Sequence, residues 1–254
     1  MRASQEVFAD CVSEVARLIC RGQVVFLVGS GISRIPPCNL PTGEDFKNQL
    51  VAMLCTRDSH PDQERFLNRT RRLGLEEVCQ VVYDHVGASL LQVMDSILAN
   101  DEIQANCAHS FLSTALHHEN TVLTPNYDVL IEDTYIKRYG RSPEYFCYSD
   151  EQFDQVVQGV VGKGIFPRSG LFKLHGSFRD VTRGRAETHP TVQTVLSAVG
   201  RLSQPATEVR LSRPKTQILR SIASRPMLVL GYSARDTDLY PALLEAIGVE
   251  HGGP

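Results

Sequence analysis

Four short stretches of this 254-residue chain combine residue types that can hold a ligand and move a proton. The first is Gly29-Ser30-Gly31-Ile32-Ser33, whose glycines let backbone N–H groups come close to a phosphate. The second, Thr124-Pro125-Asn126-Tyr127-Asp128, offers a neutral amide that both donates and accepts, beside a carboxylate. The third, His175-Gly176-Ser177, carries an imidazole whose ordinary pKa is near neutrality. The fourth is Gly231-Tyr232-Ser233-Ala234-Arg235-Asp236. Together they could orient a water, accept a proton and grip a phosphate-bearing ligand. Each also has a structural reading. The G-x-G can be a tight turn, Asn126 and Asp128 beside Pro125 can be turn residues, and His175 can be a satisfied core histidine. Asp236 or Ser233 can be a helix N-cap. The first stretch is neither a Rossmann fingerprint, since Arg34 takes the third glycine position, nor a P-loop, since no G-K-[ST] follows.

The elements that must position these residues follow from the hydrophobic spacing. Phe8, Cys11, Val12, Val15, Leu18 and Ile19 recur at helical period, and Gly22 suits the end of that helix. Val24 to Val28 is a continuous apolar run, the mark of a strand covered on both faces. A helix is expected from near Thr42, with Asp45 as its capping partner. Helical spacing continues over 73–99, broken at Gly74 and Gly87, and over 105–118. Residues 121–124 read as a strand and 128–138 as a helix. A short strand near Phe146 and Tyr148, a helix over 151–163 and a strand over 171–174 follow. A helix over 191–202, another over 214–224, a strand over 227–230 and a last helix over 237–247 complete the pattern. Strands alternating with helices imply an α/β fold, a Rossmann-like mostly parallel sheet with helices on both faces. All four polar stretches sit where strands end. Ligands in such sheets bind outside the carboxyl ends of the strands, so the four are expected along one edge.

Composition narrows the function classes. The formal net charge is −3, with 42% hydrophobic and 22% charged residues, so no overall basic surface suggests nucleic acid. Arginines cluster locally at Arg69, Arg71 and Arg72 and at Arg179, Arg183 and Arg185, which reads as solvated loop surface. There are seven cysteines, an odd number with no C-x-x-C, consistent with reduced thiols packed in a cytoplasmic protein. No apolar run has the length of a membrane span, and Glu6, Asp10, Glu14 and Arg17 argue against a signal peptide. His109, His117 and His118 lack metal-ligand spacing, and no structural zinc is expected.

The order of the four stretches resembles the sirtuin superfamily, and most closely the sirtuin-like NADase domains of bacterial anti-phage defence proteins. The G-A-G-x-S loop reads Gly29-Ser30-Gly31-Ile32-Ser33, T-Q-N-I-D reads Thr124-Pro125-Asn126-Tyr127-Asp128, and H-G is His175-Gly176. The G-T-S strand end is Gly231-Tyr232-Ser233. The Tyr in the second motif, the K-L-H-G-S form of the third and the G-Y-S-x-x-D form of the fourth are defence-type variants. The resemblance spans about residues 20–245. It departs from the zinc-binding deacylases: no cysteine follows Cys147, Pro125 replaces their Gln, and their G-I-P-D-F-R segment is absent. It implies one NAD-binding domain over 1–254, whole or cut from a longer protein, with a helical insertion at about 42–118. It also implies an NAD+ glycohydrolase that releases nicotinamide and ADP-ribose, acting as a defence effector by NAD+ depletion. NAD+ is then the substrate and no metal is needed. Asn126 and His175 would be catalytic. Gly29, Ser30, Gly31 and Ser33 would approach the pyrophosphate, Asp128 the nicotinamide ribose or carboxamide, and Gly231 and Ser233 the far end of the dinucleotide. Homo-oligomerisation, or a fused or partner sensor domain, would control it, with no nucleic acid or membrane as partner. The alternatives are a silent NAD- or ADP-ribose-binding module and, more remotely, a protein deacylase.

Overall fold

A computed structural model describes residues 2–55, 74–87, 89–179, 211–236 and 238–248. Helix α1 (Arg2–Cys20) leads into strand β1 (Val25–Val28). Helices α2 (Gly43–Cys55), α3 (Leu75–Val86), α4 (Ser89–Leu98) and α5 (Cys107–His117) precede β2 (Thr121–Thr124). Then come α6 (Leu130–Tyr139), β3 (Tyr145–Cys147), α7 (Asp150–Gly159) and β4 (Gly170–Lys173). Helix α8 (Arg213–Ile222), β5 (Met227–Leu230) and α9 (Leu239–Ala246) close the described chain. The helix expected over 191–202, the arginines at 69, 71, 72, 183 and 185, and Cys55's side chain lie outside what is described. Arg179 does lie within it and pairs with Asp95 at 3.4 Å and Asp101 at 2.7 Å.

The five strands form one sheet in the order β3-β4-β2-β1-β5, and every pairing is parallel. The parallel arrangement explains why β1 reads as unbroken apolar residues. Val25 and Leu27 pack with Phe153, Phe172, Ile218 and Leu239 on one face, while Phe26 and Val28 pack with Leu112, Leu116 and Ile131 on the other. The sheet is thus the α/β, Rossmann-like arrangement that the alternation predicts. Strands β3 and β5 are the edges, and Val229 of β5 is 55% exposed. Helices α2, α3 and α4 enclose a separate apolar cluster that also takes in Phe178 and Tyr127. That cluster sets a helical wall against the ends of β2 and β4.

Local signals place the helices well. Thr42 and Asp45 do cap α2: Asp45 N–H donates to Thr42 Oγ1 at 3.2 Å and Thr42 N–H to Asp45 Oδ2 at 3.2 Å. The break at Gly87 separates α3 from α4. The cap of α9 differs from expectation. Neither Asp236 nor Ser233 fills it; Asp238 does, its Oδ1 accepting from Leu239 N–H at 2.7 Å. The thiols also divide more evenly than the packed reading supposes. Cys38, Cys79 and Cys147 are buried, but Cys11, Cys20 and Cys107 are exposed because they fall on the outer faces of α1 and α5.

Candidate functional site

β1 lies between β2 and β5, so the chain leaving β1 and the chain leaving β5 meet above adjacent strands. They meet very closely. A Cβ on Gly29 would lie 2.5 Å from the Gly231 carbonyl oxygen, and one on Gly31 would lie 2.8 Å from it. Gly231 itself has φ of +61°, and its Cβ would stand 2.6 Å from Ile32 N. The glycines of the first and fourth motifs are therefore required by backbone contact between the two loops, whatever ligand they face. Gly31 N–H donates to the Gly231 carbonyl at 2.9 Å and fixes that contact.

A cavity of about 1120 Å³ opens over these strand ends. Gly29, Ser30, Gly31, Ser33, Asn126, Asp128, His175, Gly231 and Ser233 all line it, so the structure brings every candidate residue to one place. Its volume exceeds the ~300–1,000 Å³ common for small-molecule sites. Helices α2, α3 and α4 supply an apolar wall, including Phe46, Leu75, Met94 and Leu98. Arg235, on the β5 loop, reaches Glu44 of α2 at 3.1 Å across the rim.

The Thr124–Asp128 turn separates the roles of its residues. Thr124 Oγ1 accepts from Asn126 N–H at 3.0 Å, and Asp128 Oδ1 accepts from Leu130 N–H at 3.3 Å. The turn chemistry thus belongs to Thr124 and Asp128. Asn126 is 8% exposed, and its side-chain nitrogen is buried with no hydrogen-bond partner among the described residues. A buried amide donor with nothing to donate to costs stability unless a ligand or water takes it. Asp128 is anchored from the first motif as well, because Ser33 Oγ–H donates to its Oδ2 at 2.9 Å. Ser33's hydroxyl is thereby directed at Asp128 and braced by His109 Nε2 at 3.1 Å. Burial pulls the His109 pKa below its ordinary value, opposed by the charge of Asp128. Asn106 caps α5, accepting from Ala108 N–H and His109 N–H, and its amide nitrogen donates to the Ile32 carbonyl at 2.7 Å.

A buried ion pair ties the second motif to the third. Lys173 Nζ reaches Glu132 at 2.6 Å, the Asp128 carbonyl at 2.5 Å and Ser177 Oγ at 2.9 Å. Both charged side chains are all but fully buried. Burial raises the Glu132 pKa, with Lys173 pulling the other way. His175 follows at the strand end, 6% exposed, its ring 6.3 Å from that of Tyr127. His175 Nε2 lies 3.1 Å from Asp238 Oδ1, and Nδ1 lies 3.8 Å from Asp236 Oδ1. It is therefore a buried histidine paired with acids, and it also lines the cavity.

Lys173, Glu132, His109 and Asp238 are not among the catalytic or binding residues expected from the sequence, although His109 was weighed there as a metal ligand. Lys173 had a signal, being the lysine of K-L-H-G-S at the end of an otherwise apolar strand. Asn106-x-x-His109 had another, a capping pattern just before an apolar helix. Asp238 was visible only as the second acid of D-T-D. Among the described residues no three His, Cys, Asp or Glu side chains gather as a metal site requires. No described helix is long and apolar enough to cross a membrane.

A family profile described as SIR2-like domain matches residues 120–250, about half of the chain. The match takes in the second, third and fourth motifs. No curated protein matches.

Proposed function

The chain belongs to the SIR2-like domain family, and on that premise we propose that it hydrolyses the nicotinamide N-glycosidic bond of NAD+. The observation that carries this reading is the orphaned amide nitrogen of Asn126 in the cavity that His175 also lines. Loss of the nicotinamide ring neutralises its positive charge, since the bond's electrons leave with the ring nitrogen. Little acid catalysis is therefore needed at the leaving group. The demand falls on aligning a water or ribose hydroxyl at the anomeric carbon and on taking its proton. Asn126 supplies the unsatisfied donor for that alignment. His175 takes the proton, and Asp238 and Asp236 stand beside its ring to balance the charge it gains. Ser33, Asp128, Lys173 and Glu132 hold the Asn126 turn and the His175 strand end in register. Gly29, Gly31 and Gly231 let the two loops close on each other beneath the cavity, where Ser30 and the loop backbone would meet the pyrophosphate.

The motif variants support an effector of bacterial anti-phage defence that depletes NAD+, held inactive until oligomerisation or a sensor domain or partner releases it. The test is nicotinamide release from NAD+ without acyl-peptide, by wild type, Asn126→Ala and His175→Ala, with NAD+ binding measured by calorimetry. Release by wild type alone supports hydrolysis. Binding without release in any activating condition leaves an NAD- or ADP-ribose-binding module. Release only with acyl-peptide restores the deacylase reading.

A further inference from the structure

We infer that Asp238 is a positioning residue that selects which ring nitrogen of His175 carries the proton, leaving Nδ1 as the proton acceptor of the site. This rests on the hydrolase reading for its catalytic consequence, though the tautomer itself does not. Asp238 Oδ1 accepts from Leu239 N–H at 2.7 Å and lies 3.1 Å from His175 Nε2. One oxygen thus caps α9 and faces the imidazole. A carboxylate in that place can only accept, so Nε2 bears the hydrogen and the electron pair of the neutral ring is on Nδ1. Asp236, on the Nδ1 side at 3.8 Å, lines the cavity, and Asp238 does not. The ring therefore stands between a carboxylate held behind it and the space where a ligand would be.

The arrangement has a physical reason. The first turn of α9 presents unsatisfied N–H groups, which fix the Asp238 carboxylate and favour its charge. Burial alone would raise its pKa, but His175 and the Leu239 and Asp238 backbone N–H groups together hold it below the ordinary value. The carboxylate is thus ionised and rigidly placed at any pH where His175 titrates. When Nδ1 takes a proton from a water or ribose hydroxyl, the resulting imidazolium is stabilised by Asp238 through Nε2–H. No proton passes to Asp238, as in the orienting acid of a serine hydrolase triad. Asp236 and Tyr127 also stand near the ring, while the neighbouring Lys173 is turned toward Glu132 and the Asp128 carbonyl.

Nitrogen-15 NMR of histidine-labelled protein, titrated across pH 5 to 9 in wild type, Asp238→Asn, Asp238→Ser and Asp236→Asn, tests this without requiring turnover. Wild-type His175 should be in the Nε2–H form when neutral. In Asp238→Asn its titration should move down by about one pH unit or more, because the opposite charge is gone. Asp238→Ser keeps a capping oxygen for α9 but cannot reach the ring, so it should melt near wild type and still lose the tautomer preference. Asp236→Asn should keep it. Under activating conditions, the acidic limb of kcat against pH should shift down in Asp238→Asn by the same amount. Its kcat should fall at least about tenfold while KM for NAD+ stays within about twofold. An Nδ1–H tautomer in wild type, or a titration unmoved by both Asp238 variants, overturns the inference. If the Asp238 variants do not fold, the wild-type tautomer alone decides it. A wild type that releases no nicotinamide in any condition sinks the hydrolase reading and leaves the tautomer result standing on its own.

Discussion

Asn126→Ala separates a residue kept for the fold from one kept for a ligand. In a turn role, the asparagine side chain would bond the backbone, and its loss would cost about 1 kcal/mol. Here Thr124 and Asp128 make those bonds and the Asn126 amide nitrogen makes none. A buried donor left unsatisfied costs about 1–3 kcal/mol. Removing it relieves that cost, offset by about 1 kcal/mol of lost packing from a small side chain. The expected net change is a gain of about 0–2 kcal/mol, which for a chain of this size raises Tm by roughly 0–8 °C. Turnover should move the other way. Losing a group that aligns the reacting water costs on the order of a hundredfold or more in kcat. Thermal melts and nicotinamide release, measured on the same preparation, give both numbers. A variant that melts several degrees below wild type while retaining turnover would refute the argument and return Asn126 to the turn.

Three further outcomes follow from the supporting residues. Lys173→Met strands Glu132 as a buried charge and should cost about 3–5 kcal/mol in denaturant unfolding, whereas Lys173→Met with Glu132→Leu should recover most of it. The double variant should still lose turnover, because the Asp128 carbonyl no longer has its donor. Gly231→Ala puts a Cβ 2.6 Å from Ile32 N at φ of +61°; a loss of about 1–3 kcal/mol and a weaker affinity for NAD+ by calorimetry are expected. Asp238, with a folded-state pKa below its ordinary 3.8, contributes stability that is present above 3.8 and lost as the pH falls through the lower folded value. The Tm gap between wild type and Asp238→Asn should therefore widen as the pH falls through the His175 titration, because the imidazolium gains its carboxylate partner, and shrink again below about pH 3.8.

Much of this protein is legible in one dimension, because the relevant signals are local. Apolar runs such as Val24–Val28 and helical spacing such as that of α5 reflect burial periodicity, and that periodicity is written residue by residue. The motifs at the ends of β1, β2, β4 and β5 were legible for the same reason, and a parallel sheet places all strand ends of one direction together. What the sequence could not convey were partnerships between distant residues. Whether Asn126 served the turn depended on Thr124 and Asp128 taking the backbone bonds first. The meaning of Gly29 and Gly31 depended on Gly231 lying against them across some two hundred residues of chain. His175 met Asp238 only because α9 begins where it does, and α9 begins there because Asp238, not Asp236, caps it. Spacing along the chain sets which face a side chain takes. Only the packing of one element on another decides which charge or donor stands opposite it, and that opposition determines which of these residues can do chemistry.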